Sequence, residues 1–237
     1  MTKLKIRTNF STLLKYLTVT ASLGGVLLSL IYARQDGYSH WGRRLLYFTA
    51  QSNIWLGITF LFILLLPLKK KNTAPWKERL YLLKYIFTVS ITITGLVFCS
   101  LLAPFAGEDY RPWGLCNLFT HVFSPLFAIA DFFIDPYRIS LQKKQIFLTV
   151  IPPLAYFSLA SILGATHTDF GRGVNYPYFF LNFSSPAGVF GFSRISPFFI
   201  GSFYWIALFS LVLLFFAYLY ALWGNKKASD KKSKPAR

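Results

Sequence analysis

Six apolar runs, each long enough to cross a lipid bilayer, constrain this chain more than any other feature. A helix needs ~20 mostly apolar residues to span the hydrocarbon core. The runs extend from Leu13 to Ala33, Leu46 to Leu66, Tyr81 to Ala103, Leu115 to Ile134, Ile146 to Ala165 and Phe199 to Leu222. They are continuous rather than alternating, which excludes the short dyad pattern of a membrane β-barrel. The reading is an all-α, polytopic bundle of six transmembrane helices. The composition, 54% hydrophobic and 19% aromatic, agrees and excludes an ordinary soluble domain. Lys3, Lys5 and Arg7 precede the first run as they would in a secretory signal. That run is too long for one and lacks a small-residue cleavage site, so a retained first helix is expected.

The net charge of +17 suggests nucleic acid until the basic residues are placed along the chain. Lys3, Lys5, Arg7 and Lys15 lie at the amino end, and Lys69, Lys70, Lys71, Lys77, Arg79 and Lys84 flank the second connection. Arg138, Lys143 and Lys144 lie in the fourth connection, and Lys226, Lys227, Lys231, Lys232, Lys234 and Arg237 in the tail. Nineteen of the 25 Lys and Arg thus fall on one side of a six-span topology, with Arg34, Arg43, Arg44, Arg111, Arg172 and Arg194 on the other. The positive-inside rule places both termini in the cytoplasm. The basic charge is then a topology signal, with membrane lipids rather than nucleic acid as its partner. Residues 1–224 read as a single domain and 225–237 as a disordered polybasic tail. The outer segment from Thr166 to Pro197 is too aromatic for a solvated linker and is expected to lie in the membrane interface or to fold back over the bundle mouth.

Polar residues inside apolar spans are costly and tend to mark sites. His121 is the only one of three histidines within a span. Thr49 lies about one turn into the second span and His121 six residues into the fourth. At ~1.5 Å rise per residue both sit ~5–9 Å below the same boundary. Thr49, Ser52, Asn53 and Gly57 share one helix face, as do Asn117, His121, Ser124 and Ala128. Thr88, Thr92, Gly95 and Cys99 make a third stripe, and small or hydroxyl residues of this kind also mark simple helix packing.

A threonine hydroxyl becomes a nucleophile when a base takes its proton, and His121 has suitable chemistry for that base. Asn53 is the candidate oxyanion donor, Asn117 the candidate to orient the imidazole, and Ser52 and Tyr176 further substrate-side candidates. Spacing alone leaves Ser52 or Cys116 open as the partner of His121. Asp131, ~15 Å along the helix from His121, is too distant to join the pair. Asp131 and Asp135 read as structural charges near Arg138. Cys99 and Cys116 read as buried thiols rather than a disulfide, and no metal-ligand spacing or cofactor motif is present.

The run Tyr47-Phe48-Thr49-Ala50-Gln51-Ser52-Asn53 resembles the Phe-Thr-x-x-Ser-Asn motif of the androgen-induced gene / androgen-dependent TFPI-regulating protein family of membrane hydrolases and its bacterial relatives. His121, Pro125 and Asp131 are similar to that family's His-x-x-x-Pro-x-x-x-x-x-Asp motif. The run Tyr176-Pro177-Tyr178-Phe179-Phe180-Leu181-Asn182 resembles a stretch of the bacterial members. The resemblance implies a threonine-type lipid esterase in a bacterial plasma membrane. It implies Thr49 as nucleophile, His121 as its base, and fatty acid esters of hydroxy fatty acids as the substrate class. An acyltransferase would differ only in what resolves the acyl intermediate. The rival class is a non-enzymatic transporter or scaffold using the same stripe as a polar pocket. Neither class requires an obligate protein partner.

Overall fold

The computed structural model describes residues 3–66, 74–105, 111–171 and 173–232. Lys69, Lys70, Lys71, Arg172, Lys234 and Arg237 of the charge pattern lie outside the described residues. The protein is 73% helical. Among the described residues, six helices are long and apolar enough to span a membrane, as the apolar runs predict. These are α1 (Lys3–Ile31), α2 (Phe48–Leu65), α3 (Ala74–Val97, continued by a π-helical Phe98–Leu102), α4 (Leu115–Ile134), α5 (Lys143–Ala165) and α6 (Ser202–Lys232). α1 packs on α2 and α4, α2 on α3, and α3 on α4 and α6.

Close helix crossings rest on small residues, which let backbones approach without an apolar driving force. A Cβ on Gly57 would lie 2.6 Å from Leu23 and Ser22 of α1. One on Gly25 would lie 2.8 Å from Thr120, and one on Gly95 2.9 Å from the carbonyl oxygen of His121. The stripe residues Gly57 and Gly95 therefore sit where the sequence predicts packing.

α4 is not a regular helix. Leu118–Phe123 is π-helical, and the Ser124 N–H reaches the Phe119 carbonyl five residues back. Pro125 supplies the cause, because it has no N–H for the carbonyl of His121 one turn earlier. The ladder slips by one residue just where the histidine sits.

The end of the bundle opposite Thr49 holds a buried charge network. Lys15 Nζ lies 2.9 Å from Asp131 Oδ1 and 3.0 Å from Asp135 Oδ2. Lys84 Nζ lies 2.5 Å from Asp131 Oδ2 and 2.6 Å from Asp135 Oδ2. Ser11 donates to Asp131 Oδ1 at 2.6 Å. Two expectations are corrected here. Lys15 and Lys84 are buried structural partners, not loop charges reporting topology. Asp131 and Asp135 pair with these lysines, while Arg138 donates to the Tyr137 carbonyl and lies over the Phe132 ring. A carboxylate buried among helices needs a buried cation, and the signal is present in the sequence: Lys15, Lys84 and Asp131 all fall inside apolar runs.

The tail also departs from expectation. α6 stays helical through Lys232. Asn225 secures it, accepting from the Leu141 N–H at 2.7 Å and donating to the Leu141 carbonyl at 3.0 Å. Near the other terminus, Arg7 donates to the Ile134 carbonyl at 3.0 Å. Both chain ends thus meet the α4–α5 turn at the same end of the bundle.

Removing one partner of a buried pair strands the other charge. Asp131→Asn is expected to lower stability by roughly 3–5 kcal/mol in thermal unfolding of the detergent-purified protein. Lys143→Met, on an exposed side chain at the same end, should stay within about 0.5 kcal/mol. Burial opposes ionisation of Asp135, but Lys84 and Lys15 outweigh it and hold the carboxyl below its usual range. A depressed folded pKa gives stability that is present above the unfolded value, about 3.9, and is lost as pH falls below it. Melting temperatures in a pH series should therefore fall below about pH 4, and less steeply for Asp135→Asn.

Candidate functional site

The first turn of a helix leaves N–H groups without intrahelical partners. The N-cap of α2 is Tyr47, whose side chain caps nothing. Thr49, the second residue of the helix, instead donates its N–H to the Tyr178 hydroxyl at 3.3 Å, and its Oγ1 lies 3.3 Å from the same oxygen. Gln51, inside the motif, has a plain role: its amide donates to the Leu45 carbonyl at 3.2 Å and ties the short 3-10 turn Trp41–Leu46 to α2.

Asn53 is fully buried and joins α2 to α4. Its amide donates to the Thr49 carbonyl at 2.8 Å and to the Thr120 carbonyl at 3.1 Å. Both amide protons are thereby engaged, leaving only the acceptor Oδ1. The expected oxyanion donor is a clamp. Ser52 is also buried, bonded to the Thr49 carbonyl and to Thr94 Oγ1, each at 3.2 Å. It lines neither cavity at the site.

His121 is 7% exposed and stacks on Phe98 with centroids 3.9 Å apart and planes 11° from parallel. Its Nδ1 is buried without a hydrogen-bond partner. Asn117, expected to orient the ring, donates instead to the Arg111 carbonyl at 3.1 Å. α3 and α4 thus both turn π-helical where they flank the imidazole, a distortion found often at functional sites.

Thr49 and His121 line two cavities in common, though no hydrogen bond joins them directly. One cavity, about 50 Å³, has walls of Ile93, Val97, Phe157, Phe209 and Leu213. The other, about 230 Å³, is lined by Ser29, Arg44, Asn117, Thr120 and Cys116. Arg44 pairs with Asp36 at its mouth and lies over the Tyr38 ring, 4.1 Å from the centroid. Cys99 and Cys116 are both free, but neither is buried as expected: Cys99 is exposed and Cys116 half-buried. Among the described residues no group of three or more His, Cys, Asp or Glu could hold a metal ion.

The segment after α5 folds over the mouth, as its aromatic content predicts. Phe180 and Leu181 are buried against Tyr156 and Phe209. Gly171, at φ 117°, lies so close to Tyr38 that a Cβ would overlap the ring. Tyr178, not the expected Tyr176, reaches the site. Nothing in the sequence distinguishes two tyrosines either side of a proline. Burial, then the neighbouring Tyr38, pushes the Tyr47 phenol up, so an uncharged ring packs edge-on to Tyr178.

No family model, curated protein or solved structure matches this chain.

Asn53→Ala should leave the buried Thr120 carbonyl unpaired and cost about 1–3 kcal/mol in thermal unfolding. Asn117→Ala, at the rim, should change stability by less than about 0.5 kcal/mol.

Proposed function

We propose that this protein is an integral-membrane lipid-ester hydrolase, with Thr49 as nucleophile and His121 as general base. One observation carries the reading: the two residues both line an apolar cavity and a larger one whose lining mixes polar and apolar groups. An ester lipid has the same division. Its acyl chain suits the side of Phe157 and Phe209, and its oxygens and the attacking water suit the side of Asn117 and Thr120. The family resemblance around Thr49 and His121 supports the same assignment and extends it to fatty acid esters of hydroxy fatty acids.

In this mechanism His121 takes the Oγ1 proton as Thr49 attacks the ester carbonyl carbon. The new C–O bond forms as the carbonyl π electrons move onto oxygen. Collapse of that oxyanion breaks the bond to the alcohol, which leaves with the proton from His121. Water from the larger cavity, giving its proton to His121, then attacks the acyl carbon; the bond to Oγ1 breaks, Oγ1 takes the proton back from His121, and the acid leaves. Substrate or one bridging water must close the distance between Thr49 and His121, and catalytic hydrogen bonds are often long before substrate binds.

Orientation belongs to the same proposal. Without Lys15 and Lys84 the basic bias still stands at 17 against 6. Both termini are assigned to the cytoplasm and the site to the outer leaflet on that bias, and the resemblance to the family's bacterial members assigns the protein to a bacterial plasma membrane.

Intact-mass analysis after treatment with a fluorophosphonate tests the chemistry. A single adduct is expected on wild type, and none on Thr49→Ala or His121→Ala. An adduct that persists on Thr49→Ala would move the nucleophile to Ser52 or Cys116. No adduct on folded wild type would favour a non-enzymatic pocket.

A further inference from the structure

We propose that the Tyr178 hydroxyl and the Thr49 backbone N–H together form the oxyanion-binding pair of this site. The inference rests on the hydrolase reading and deepens it by naming a further catalytic residue. A tetrahedral intermediate on Thr49 needs donors aimed at the former carbonyl oxygen. Asn53, the side chain that spacing selects, has both protons committed to carbonyls. Asn117 faces Arg111 at the rim. The Tyr178 hydroxyl lies 3.3 Å from both the nitrogen and Oγ1 of Thr49. It also lines both cavities that Thr49 and His121 share.

The bond from the Thr49 N–H to the Tyr178 hydroxyl is long for its type and easily exchanged. An oxyanion arriving between the two groups accepts from the N–H in place of the phenol oxygen, and the phenol O–H turns to donate to it. The Thr49 N–H is also one of the donors without an intrahelical partner in the first turn of α2, where the helix dipole favours negative charge. No atom is transferred to or from Tyr178: it remains a phenol while the oxyanion forms and collapses.

The ring is held for this task. Tyr178 stacks on Phe180 with centroids 5.0 Å apart and planes 13° from parallel. Tyr47 meets it edge-on at 5.7 Å and Tyr156 approaches at 6.3 Å. Such packing fixes the hydroxyl without drawing on side-chain motion at the moment of reaction.

Hydrolysis of a p-nitrophenyl acyl ester by the detergent-purified protein tests the assignment. Tyr178→Phe removes one oxygen and keeps the ring. It should lower kcat by about 10²–10³-fold, with KM within about twofold, the loss that one oxyanion donor produces. Tyr176→Phe should match wild type. Biosynthetic 3-fluorotyrosine at position 178 keeps the hydroxyl and makes it more acidic. A donor role moves kcat at least about twofold with that change, whereas a packing role leaves it fixed, and this readout stands even if Tyr178→Phe fails to fold. If Tyr178→Phe keeps kcat within about threefold while Thr49→Ala abolishes turnover, the Tyr178 assignment is wrong and the Thr49 reading survives. Turnover that persists in Thr49→Ala overturns both.

Discussion

Four buried charges, two lysines and two aspartates, determine how this bundle can be assembled. Lys15 comes from α1, Lys84 from α3, and Asp131 and Asp135 from α4 and the turn after it. Burying any one of them alone in an apolar medium carries a large penalty. The network is acceptable only when all three elements bring their charges to one level. Apolar packing tolerates a helix sliding by a turn, but this network does not. Its net stabilisation can be small and its effect on register still large, since every alternative register strands a charge.

That register reaches the other end of the bundle through α4. His121 lies ten residues before Asp131, ~15 Å along the helix, and rides on the same rod. Gly25 and Gly95 admit α4 close to α1 and α3 at the level of the histidine. Asn53 then ties α2 to the Thr120 carbonyl beside it. Three short-range devices thus convert a register set by charge into the relative placement of Thr49 and His121. The Pro125 slip adjusts the ring's direction within that frame.

Much of this is legible in the order of the residues alone. Hydrocarbon thickness imposes a length on every span, so the six helices follow from the apolar runs. Thr49 and His121 are singled out by depth and helical face, quantities that depend only on spacing. What the chain conceals depends on contacts between distant residues. Lys15 and Lys84 fall inside apolar runs but are counted as topology charges, because a one-dimensional count cannot show that they pair with Asp131 and Asp135. Asn225 looks like part of a solvated tail because its partner, Leu141, lies in another connection. Tyr178 and Tyr176 are equivalent on either side of Pro177 until the fold over Phe180 selects one. Asn53 is a residue of the site with a role other than its spacing suggests, since only the packed helices show what occupies its two protons.

The size of the apolar cavity bears on how such a site meets its substrate. About 50 Å³ has room for a few water-sized groups, far less than a long acyl chain needs. A soluble lipid hydrolase must build a tunnel for that chain, because water will not hold it. A site within a bilayer has no such need, as the surrounding hydrocarbon already solvates the chain at no cost in apolar exposure. The walls of the cavity come from α5, through Phe157, and from α6, through Phe209 and Leu213. The Ile151–Ala165 part of α5 packs mainly on the 3-10 turn Leu148–Val150 before it and on Phe179–Leu181, with Ile151 and Ile162 more than half exposed. The seam between α5 and α6 is therefore where a chain can lie half in protein and half in lipid. On the proposed hydrolase reading, the protein would have only to hold the first few carbons and present the ester at the height of Thr49.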